Sequence, residues 1–485
     1  MAEITTEKYI SSASDAIGDG VLQSALASVQ GRLGPGTAAA YRNLKEGPAL
    51  RLVAHELRMQ AVLHLDVLLE RLAEKIRARG GHVFFAAAAE EAVAYARQVA
   101  QANSVRSVVK GKSMVTEEIG LNAAFEADGI DVAETDLGEY IIQLAGEHPS
   151  HIIAPAIHKT RDQVGALFSE KLGIPFTNDP PTLTQAARRA LRKKFLNADM
   201  GISGCNLACA ETGHITTVSN EGNIRMSTTL PRIHMAFMGM ERVVARLADH
   251  DILFRLLARG AAAQNMAGYV SYIGGPGHAT HADGPEAFHL VIIDNGRSRI
   301  LADDRFREML CCIRCAACLN VCPVYGKIGG HAYGYPYSGP VGAVVTPLLV
   351  GVNRAADLCL GETLCGACKD ACPVDIDLPR MLIELRTMLA TGDDHWNVRC
   401  HAPGERYGYR LWEKAIGNRL LYQTGLQLAG MIQGVLPPSL FQRLPTPIAG
   451  WARSRELPRV ASSSFMDRWR RGLVDGDSSR RETQS

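Results

Sequence analysis

Eight cysteines of this chain of 485 residues fall between positions 312 and 372, in or near two regularly spaced groups. The first group begins at Cys312 and reads Cys-Ile-Arg-Cys-Ala-Ala-Cys-Leu-Asn-Val-Cys-Pro. The second begins at Cys365 and reads Cys-Gly-Ala-Cys-Lys-Asp-Ala-Cys-Pro. The first has the spacing of a bacterial ferredoxin, in which three thiolates bind one [4Fe–4S] cluster and the fourth binds its neighbour. The spacing therefore predicts iron–sulfur chemistry, that is, one-electron transfer.

The two groups are expected to share their ligands. One [4Fe–4S] cluster would be bound by Cys312, Cys315, Cys318 and Cys372. The other would be bound by Cys322, Cys365, Cys368 and one further ligand. A complete second group would have a cysteine where the chain has Glu362, and Cys359 is the nearest thiol, at a different spacing. Cys359, Glu362, water or a partner's group stay open as the fourth ligand, as does a [3Fe–4S] cluster.

Structural zinc and disulfides are the alternatives for these cysteines. A tetrahedral zinc site takes four ligands and has no use for a third cysteine in the same two-residue register. Residues 1–14 contain no basic segment followed by an apolar core, so we predict no secretory signal and a reducing compartment, where disulfides are rare. Three of the other cysteines are predicted to be small packing residues: Cys205, Cys209 and Cys400. Cys311 is adjacent to Cys312 and is either a packing thiol or a register alternative to it.

The composition is typical of a globular protein. Hydrophobic residues make up 47% and charged residues 21%, enough for a substantial core. At roughly 150 residues per domain, the length predicts more than one domain. A formal net charge of +2 does not suit nucleic-acid binding. No apolar run approaches the roughly 20 residues of a membrane span, so we predict a cytoplasmic, multi-domain redox protein.

Hydrophobic periodicity divides the chain into four segments. Residues 1–79 have apolar residues at helical spacing and stop at a Gly pair, which predicts a helical segment. Residues 80–302 alternate strands and helices, with one strand predicted at 150–156, which favours an α/β domain with a parallel sheet. Residues 303–395 contain the cysteine groups. Residues 396–485 are predicted to be helical with a disordered tail, and this helix would dock a partner, lie at the inner face of the membrane, or simply pack.

Three polar turns of the α/β segment contain candidate binding residues. Lys110 and Lys112 flank a Gly at a predicted strand-to-helix turn, which suits an anion or forms an ordinary capped basic turn. Glu211 precedes a Gly turn and is a candidate nucleophile or base, or else a capping residue. Asn223 and Arg225 lie on a polar loop, where the Arg would bind a carboxylate ligand or pair with a neighbouring Glu.

Longer stretches resemble a known family. The resemblance lies in AETGHITTVSNEGNIRMSTTLPRIHMAFMG, in GPEAFHLVIIDNGRSRIL, and in the two cysteine groups separated by YPYSGPVGAVVTPLL. From about residue 15 to 475 the chain resembles the lactate utilization protein B family, the iron–sulfur subunits of a three-component system that oxidises L-lactate to pyruvate. The resemblance implies a LUD-type α/β domain similar to sugar-phosphate isomerases and CoA-transferases, followed by an α-helical ferredoxin domain with two [4Fe–4S] clusters.

The resemblance also implies partners and roles. The partners would be an A-type protein with cysteine-rich domains, a C-type LUD-domain protein and a downstream electron acceptor. It further implies that Glu362 is no departure from the family, and that Glu211 resembles the nucleophile in the Glu-Asn-Gly turn of CoA-transferases. Lactate oxidation removes two electrons whereas each cluster passes one, so the clusters would relay electrons received from a flavin, another cofactor or a partner's cluster.

Other functions remain open for the sequence. The chain has no Gly-x-Gly-x-x-Gly run that opens a helix after a strand, so it has no dinucleotide-binding signature. The hydroxy acid could instead be D-lactate or glycolate. In a different class, the α/β domain would act by itself on a small acid or its CoA ester, or the chain would be a redox sensor without turnover.

Overall fold

The computed structural model describes residues 4–278, 280, 283–400, 403–435, 461 and 464–472. The chain forms two compact units, Met1–Arg399 and Cys400–Ser485. The predicted disordered tail lies outside the described residues. No helix in the described ranges combines the length and apolar content that crossing a bilayer requires.

The first unit opens with four helices. They are α1 (Tyr9–Gly18), α2 (Gly20–Arg42), α3 (Gly47–Leu63) and α4 (Leu65–Arg77). The helical pattern of this region is confirmed, but the run breaks at His64, whose backbone leaves the helical range (φ −123°, ψ 30°). Arg58 of α3 is fully buried and donates to the carbonyl oxygens of Val243 (2.9 Å) and Leu310 (3.0 Å). This buried guanidinium therefore joins α3 to both the α/β region and the start of the cysteine region.

Ten strands follow in the described part of the chain, and six of them form one parallel sheet. The strands are β1 (His82–Ala86), β2 (Ser107–Lys110), β3 (Asp131–Glu134), β4 (Met200–Gly204), β5 (Leu207–Cys209), β6 (His214–Ser219), β7 (Ile233–Gly239), β8 (Val243–Val244), β9 (Tyr269–Ile273) and β10 (Ala287–Ile293). The parallel sheet has the order β1-β10-β7-β4-β2-β3. A smaller sheet has the order β8-β5-β6-β9, with β6 antiparallel to both neighbours. The predicted parallel α/β fold is confirmed.

Helices cover both faces of the parallel sheet. The α/β region contains α5 (Ala89–Ala102), α6 (Met114–Glu118), α7 (Leu121–Ala127), α8 (Leu137–Ala145), α9 (Arg161–Leu172), α10 (Pro180–Asn197), α11 (Asn223–Thr229), α12 (Leu247–Ala262) and α13 (Arg297–Ala302). Alternate residues of β10 face opposite layers, as the two-residue period of a strand requires. Leu290 and Ile292 share a core with α4, whereas Val291 and Ile293 share a core with α5 and α7.

The predicted strand at 150–156 is wrong, because this segment forms a turn around a buried histidine. The Nδ1 atom of His151 accepts hydrogen bonds from the backbone N–H groups of Ile153 and Ala154, both at 3.0 Å. The Nε2 atom then carries the proton and donates to Oδ1 of Asn320 at 3.2 Å. These bonds curl the backbone locally and hold the segment against the cysteine region.

Helices surround the loops of the two cysteine groups. They are α14 (Ala317–Asn320), α15 (Tyr325–Ile328), α16 (Gly339–Val350), α17 (Ala356–Leu360), α18 (Ala367–Asp370) and α19 (Leu378–Thr391). Among its described residues the first unit also has four 3-10 turns: Thr6–Lys8, Met240–Arg242, Arg307–Cys311 and His331–Tyr333. One hydrophobic core contains Leu26 and Val62 of the N-terminal helices together with Leu319 and Leu348 of the cysteine region. The α/β domain is thus followed by a helical region, as predicted.

The second unit is helical where it is described. Its helices are α20 (Pro403–Gly417), α21 (Arg419–Val435) and α22 (Phe465–Arg470). Large apolar side chains such as Leu411, Trp412 and Leu420 are exposed on the first two.

Candidate metal centre

Cys312 and Cys315 lie on a loop between the 3-10 turn Arg307–Cys311 and α14. Cys318 lies in α14, and Cys322 follows that helix. Arg314 and Ala316, on either side of Cys315, have left-handed backbones with φ of 58° and 62°. Such conformations are sparsely populated outside glycine and occur mainly where function requires a tight turn. The backbone N–H of Arg314 donates to Sγ of Cys312 at 3.4 Å, a contact that stabilises a thiolate.

The second group repeats this backbone. Leu364 and Gly366, on either side of Cys365, have φ of 57° and 86°, and α18 follows as α14 follows in the first group. Three residues before the cysteine at the centre of this turn, the first group has Cys312 and the second has Glu362. The matching turns therefore align Glu362 with Cys312 of the first group.

Four cysteines from both groups line one small cavity, which we call the cysteine cavity: Cys312, Cys315, Cys318 and Cys372. Burial raises the pKa of the Cys372 thiol to about 12, and burial and the neighbouring Cys372 also raise the pKa of Cys315. These thiols hold their protons at neutral pH unless a metal that binds thiolate tightly displaces them. A set of four sulfur donors suits an iron–sulfur cluster or zinc and no hard cation.

Cys322 does not line the cysteine cavity and instead lies in a separate polar cluster. Its Sγ donates to Oε2 of Glu362 at 3.4 Å and accepts from the backbone N–H of Tyr325 at 3.4 Å. Tyr333 donates its hydroxyl to Oε1 of Glu362 at 2.9 Å, and burial raises the pKa of this carboxyl group. Burial first and Glu362 second raise the pKa of Cys368 to about 11, so these groups are close to one another.

The other cysteines have different surroundings. Cys359 is fully buried in α17, and its Sγ donates to the carbonyl oxygen of Ala355 in the same turn of helix, at 3.7 Å. Cys311 is also fully buried, and its carbonyl oxygen accepts from Arg58 at 3.3 Å. Cys365 is exposed.

The two lysines predicted to bind an anion have different surroundings. Lys110 is buried and paired with Glu134 (2.6 Å) and Glu117 (3.0 Å), so its charge is already neutralised. Lys112 lines a cavity of about 290 Å³, which we call the strand-end cavity because β2, β4 and β7 end at its wall. Ligands of open α/β sheets commonly bind at the carboxyl ends of the strands.

The remaining two candidates of this class do not line that cavity. Asn223 is buried and structural, since it accepts from the Ser219 hydroxyl (2.8 Å) and donates to the Thr135 hydroxyl (3.3 Å). The guanidinium of Arg225 lies over the ring of Tyr269, 5.6 Å from its centroid.

Glu211 is exposed and accepts from the backbone N–H of Leu247 at 2.8 Å, which caps the start of α12. Besides Glu241, the glutamate that lines the strand-end cavity is Glu221. Burial, and then the neighbouring Asp136, raise its pKa to about 7, and its Oε2 accepts from the backbone N–H of Leu137 at 3.1 Å. The local signal for Glu221 was present, because it stands in the same polar Gly-containing loop as Asn223.

Sequence reasoning missed three arginines that line the strand-end cavity: Arg242, Arg297 and Arg314. Arg297 is buried between two carboxylates, with Nη2 2.7 Å from Oε2 of Glu118 and Nε 2.9 Å from Oε2 of Glu241. Arg242 donates to the carbonyl oxygen of Cys312 at 3.2 Å. Only Arg314 had a sequence signal, namely its place between two predicted ligands.

Three family models match successive parts of the chain. Residues 69–293 match the LUD domain, residues 308–376 match the 4Fe-4S dicluster domain, and residues 399–473 match the C-terminal region of lactate utilisation protein B. The iron–sulfur character predicted from the cysteine spacing therefore agrees with the family model over the same residues.

Curated relatives cover nearly the whole chain. Lactate utilization protein B of Bacillus licheniformis is 42% identical over 467 residues, which are 96% of this chain and 97% of that protein. The protein of the same name from Shouchella clausii is 43% identical over 456 residues (93% and 94%). That of Bacillus cereus is 41% identical over 477 residues (98% and 99%). With this identity over almost its entire length, the chain belongs to the lactate utilization protein B family.

Proposed function

We propose that this chain is the iron–sulfur electron-transfer subunit of a lactate-oxidising system and relays electrons through two [4Fe–4S] clusters. The observation that carries the proposal is the cysteine cavity, in which Cys372 of the second group joins three cysteines of the first. A ferredoxin run uses its ligands in this crossed manner. The names of the curated relatives support lactate as the substrate of the system.

The first cluster would be held by the four thiolates of the cysteine cavity. Backbone N–H groups already point at two of the sulfurs, those of Arg314 at Cys312 and of Ile376 at Cys372, each at 3.4 Å. Such hydrogen bonds to cluster sulfurs favour the thiolate form and set the reduction potential.

The second cluster would be held by Cys322, Cys365, Cys368 and the carboxylate of Glu362. The repeated left-handed turns support Glu362 as the fourth ligand, because they align it with Cys312 of the first group. Its 3.4 Å contact with Sγ of Cys322 supports the same assignment. Cys359 is the weaker candidate, since its thiol is hydrogen-bonded within its own helix.

The chain's own side chains cannot take up an electron pair from lactate, and each cluster accepts one electron at a time. The proposal therefore includes partners: an A-type protein with cysteine-rich domains, a C-type LUD-domain protein, and an acceptor downstream. In this arrangement the chain receives electrons singly and passes them on.

The test is purification of the complex without air, with iron, sulfide and EPR analysis of the wild type and of Cys315→Ser, Glu362→Ala and Cys359→Ser. We expect about eight iron atoms per wild-type chain and EPR signals from reduced clusters after lactate is added. Cys315→Ser should lose the first cluster and lactate-dependent reduction of the acceptor.

The variants at Glu362 and Cys359 distinguish the two candidates for the fourth ligand of the second cluster. Glu362→Ala should change the EPR signal of the second cluster or convert it to a three-iron cluster, whereas Cys359→Ser should leave both signals unchanged. A colourless wild-type chain that contains only zinc, or unimpaired lactate oxidation by Cys315→Ser, would overturn the proposal. If only Cys359→Ser changed the EPR signal of the second cluster, Cys359 and not Glu362 would be its fourth ligand.

A further inference from the structure

The strand-end cavity adjoins the cysteine cavity. Ile152 and Arg314 line both of them, so a molecule in the strand-end cavity would be separated from the proposed first cluster by little more than these side chains. The cavity of about 290 Å³ is near the lower end of the roughly 300–1,000 Å³ usual for small-molecule sites.

The charges around the strand-end cavity favour an anion. Four cationic side chains line it, against three carboxyl groups: Lys112, Arg242, Arg297 and Arg314 against Asp136, Glu221 and Glu241. The carboxyl groups already have donors. Asp136 accepts from the N–H of Gly138 at 3.1 Å, Glu221 from the N–H of Leu137, and Glu241 from Arg297.

Two of the cations, Lys112 and Arg314, are less completely paired. Lys112 has no carboxyl oxygen within 4 Å in the described part of the chain, and its charge acts from a longer distance on Glu139 and Glu221, whose pKa values it lowers. Nη1 of Arg314 is buried and has no hydrogen-bond partner among the described residues, while Nη2 is 3.7 Å from Oε1 of Glu241. The side chain of Arg314 is only 10% exposed, so water does not readily satisfy these donors.

The guanidinium of Arg314 is also held in place. It lies over the ring of Tyr337, 4.3 Å from the centroid, and the Tyr337 hydroxyl donates to Oε2 of Glu118 at 2.6 Å. A fixed planar guanidinium with free N–H groups matches the two oxygens of a carboxylate. Apolar side chains such as Ile153, Val218 and Met238 line the rest of the cavity and suit a short carbon chain.

We propose that the strand-end cavity binds a small organic carboxylate, with Arg314 as its anchor and Lys112 as the second cation. This inference deepens the proposed function and rests on it, since it makes the iron–sulfur chain itself the holder of a hydroxy or oxo acid beside the first cluster. It concerns binding and assigns no oxidation step to the cavity.

A competing role for Arg314 is that of a counter-charge to the cluster, because it lies between Cys312 and Cys315. A counter-charge alone would change the potential of the first cluster when replaced but would not bind a carboxylate. Direct binding measurements therefore separate the two roles.

The experiment is anaerobic titration calorimetry of the full-length, iron-loaded chain with pyruvate, L-lactate and the uncharged analogue lactamide. We expect one pyruvate or L-lactate per chain and at least about tenfold weaker binding of lactamide, which lacks the charge. Lys112→Gln should weaken pyruvate binding several-fold, and Arg314→Lys by about tenfold, because lysine keeps the charge but not the fork. Lys171→Gln is the matched control, since this exposed lysine of α9 pairs with the adjacent Glu170.

Two results would overturn the inference. The first is that a wild-type chain that holds its clusters binds neither pyruvate nor L-lactate. The second is that Lys112→Gln binds pyruvate as tightly as the wild type does and that the wild type binds lactamide as tightly as L-lactate. The comparison with Lys112→Gln and lactamide remains decisive even where Arg314→Lys fails to assemble its cluster. If the wild-type chain purified without air contained no iron but still bound pyruvate, the proposed function would fail while the assignment of the cavity would hold. The two failures are therefore distinguishable.

Discussion

At the scale of single residues, His151 shows how a buried polar side chain determines local structure. Its ring is almost fully buried, and both nitrogens are committed to hydrogen bonds that require the neutral form. Burial, and then the charge of Lys112, lower its pKa from 6.5 to about 3. A proton on Nδ1 would face two backbone N–H groups and break the turn.

The stability of the protein should therefore depend on pH through His151. Its folded pKa is below its unfolded pKa, so the stabilisation is complete above about pH 6.5 and is lost as the pH falls towards 3. Through this histidine, lowering the pH from 7 to 5 should reduce the free energy of unfolding by about 2 kcal/mol. His151→Asn keeps an acceptor for the turn and removes this dependence.

Denaturant unfolding at pH 7 and pH 5 checks this prediction. The wild type should lose about 2 kcal/mol more than His151→Asn over this interval. The exposed His395→Asn should lose as much as the wild type. Equal losses in all three proteins would contradict the assignment of a neutral, buried His151.

At the scale of elements, the two cysteine loops are built alike although their sequences differ. Each has left-handed residues immediately before and after its central cysteine, Arg314 and Ala316 in the first loop and Leu364 and Gly366 in the second. Only one of these four positions is occupied by glycine, the residue that adopts this conformation without strain. The other three are held by the packing around them.

Gly366→Ala should destabilise the second loop by about 1 kcal/mol, because φ is 86° there. A clash is not the reason, since beyond the adjacent residues no atom lies within 4 Å of the added methyl group. Ala316→Gly is the matched change in the first loop and should cost less, because it relaxes a φ of 62°.

Thermal unfolding and the rate of iron loss to a chelator, both without air, measure these two variants. The loss of iron should be faster in Gly366→Ala than in Ala316→Gly. The reverse order would show that backbone conformation does not limit the second loop.

At the scale of the whole molecule, the cysteine region does not have a core of its own. Leu26, Ala54 and Val62 of the N-terminal helices belong to the same hydrophobic core as Cys315, Cys322 and other residues of that region. Gln30 of α2 donates to the carbonyl oxygens of Leu319 (3.1 Å) and Cys322 (2.8 Å). The domain limits at residues 80, 303 and 396 remain predictions, whereas the contacts unite residues 1–399 in one compact unit.

Removal of the proposed clusters should therefore loosen the N-terminal helices as well as the cysteine loops. In hydrogen exchange, α2, α14 and α18 should exchange at least about tenfold faster in the iron-free chain than in the iron-loaded one. The central strand β7, which belongs to the other cores, should be much less affected. Unchanged exchange in α2, or a change in β7 as large as that in α14, would contradict this coupling.

The sequence alone determined the elements with strong periodicity and the chemistry with fixed spacing. Strands such as β7 and β10 follow short apolar runs, and the first cysteine group has the spacing of a ferredoxin. The turn at 150–156 could not be predicted, because its apolar residues resemble a strand and only the burial of His151 makes them a turn. The sequence likewise did not show that Lys110 pairs with Glu134 or that Glu211 binds the backbone of Leu247, because these partners are distant in sequence.

Tertiary structure alone decided which side chains meet. It brings Cys372 to the first cysteine group, aligns Glu362 with Cys312 through matching turns, and leaves Cys359 inside a helix. It also gathers arginines from three separate segments around the strand-end cavity. Spacing encodes ligands that share one loop, because a few residues of backbone limit their separation. Contacts between loops depend on how the helices and the sheet pack, and no local pattern records that packing.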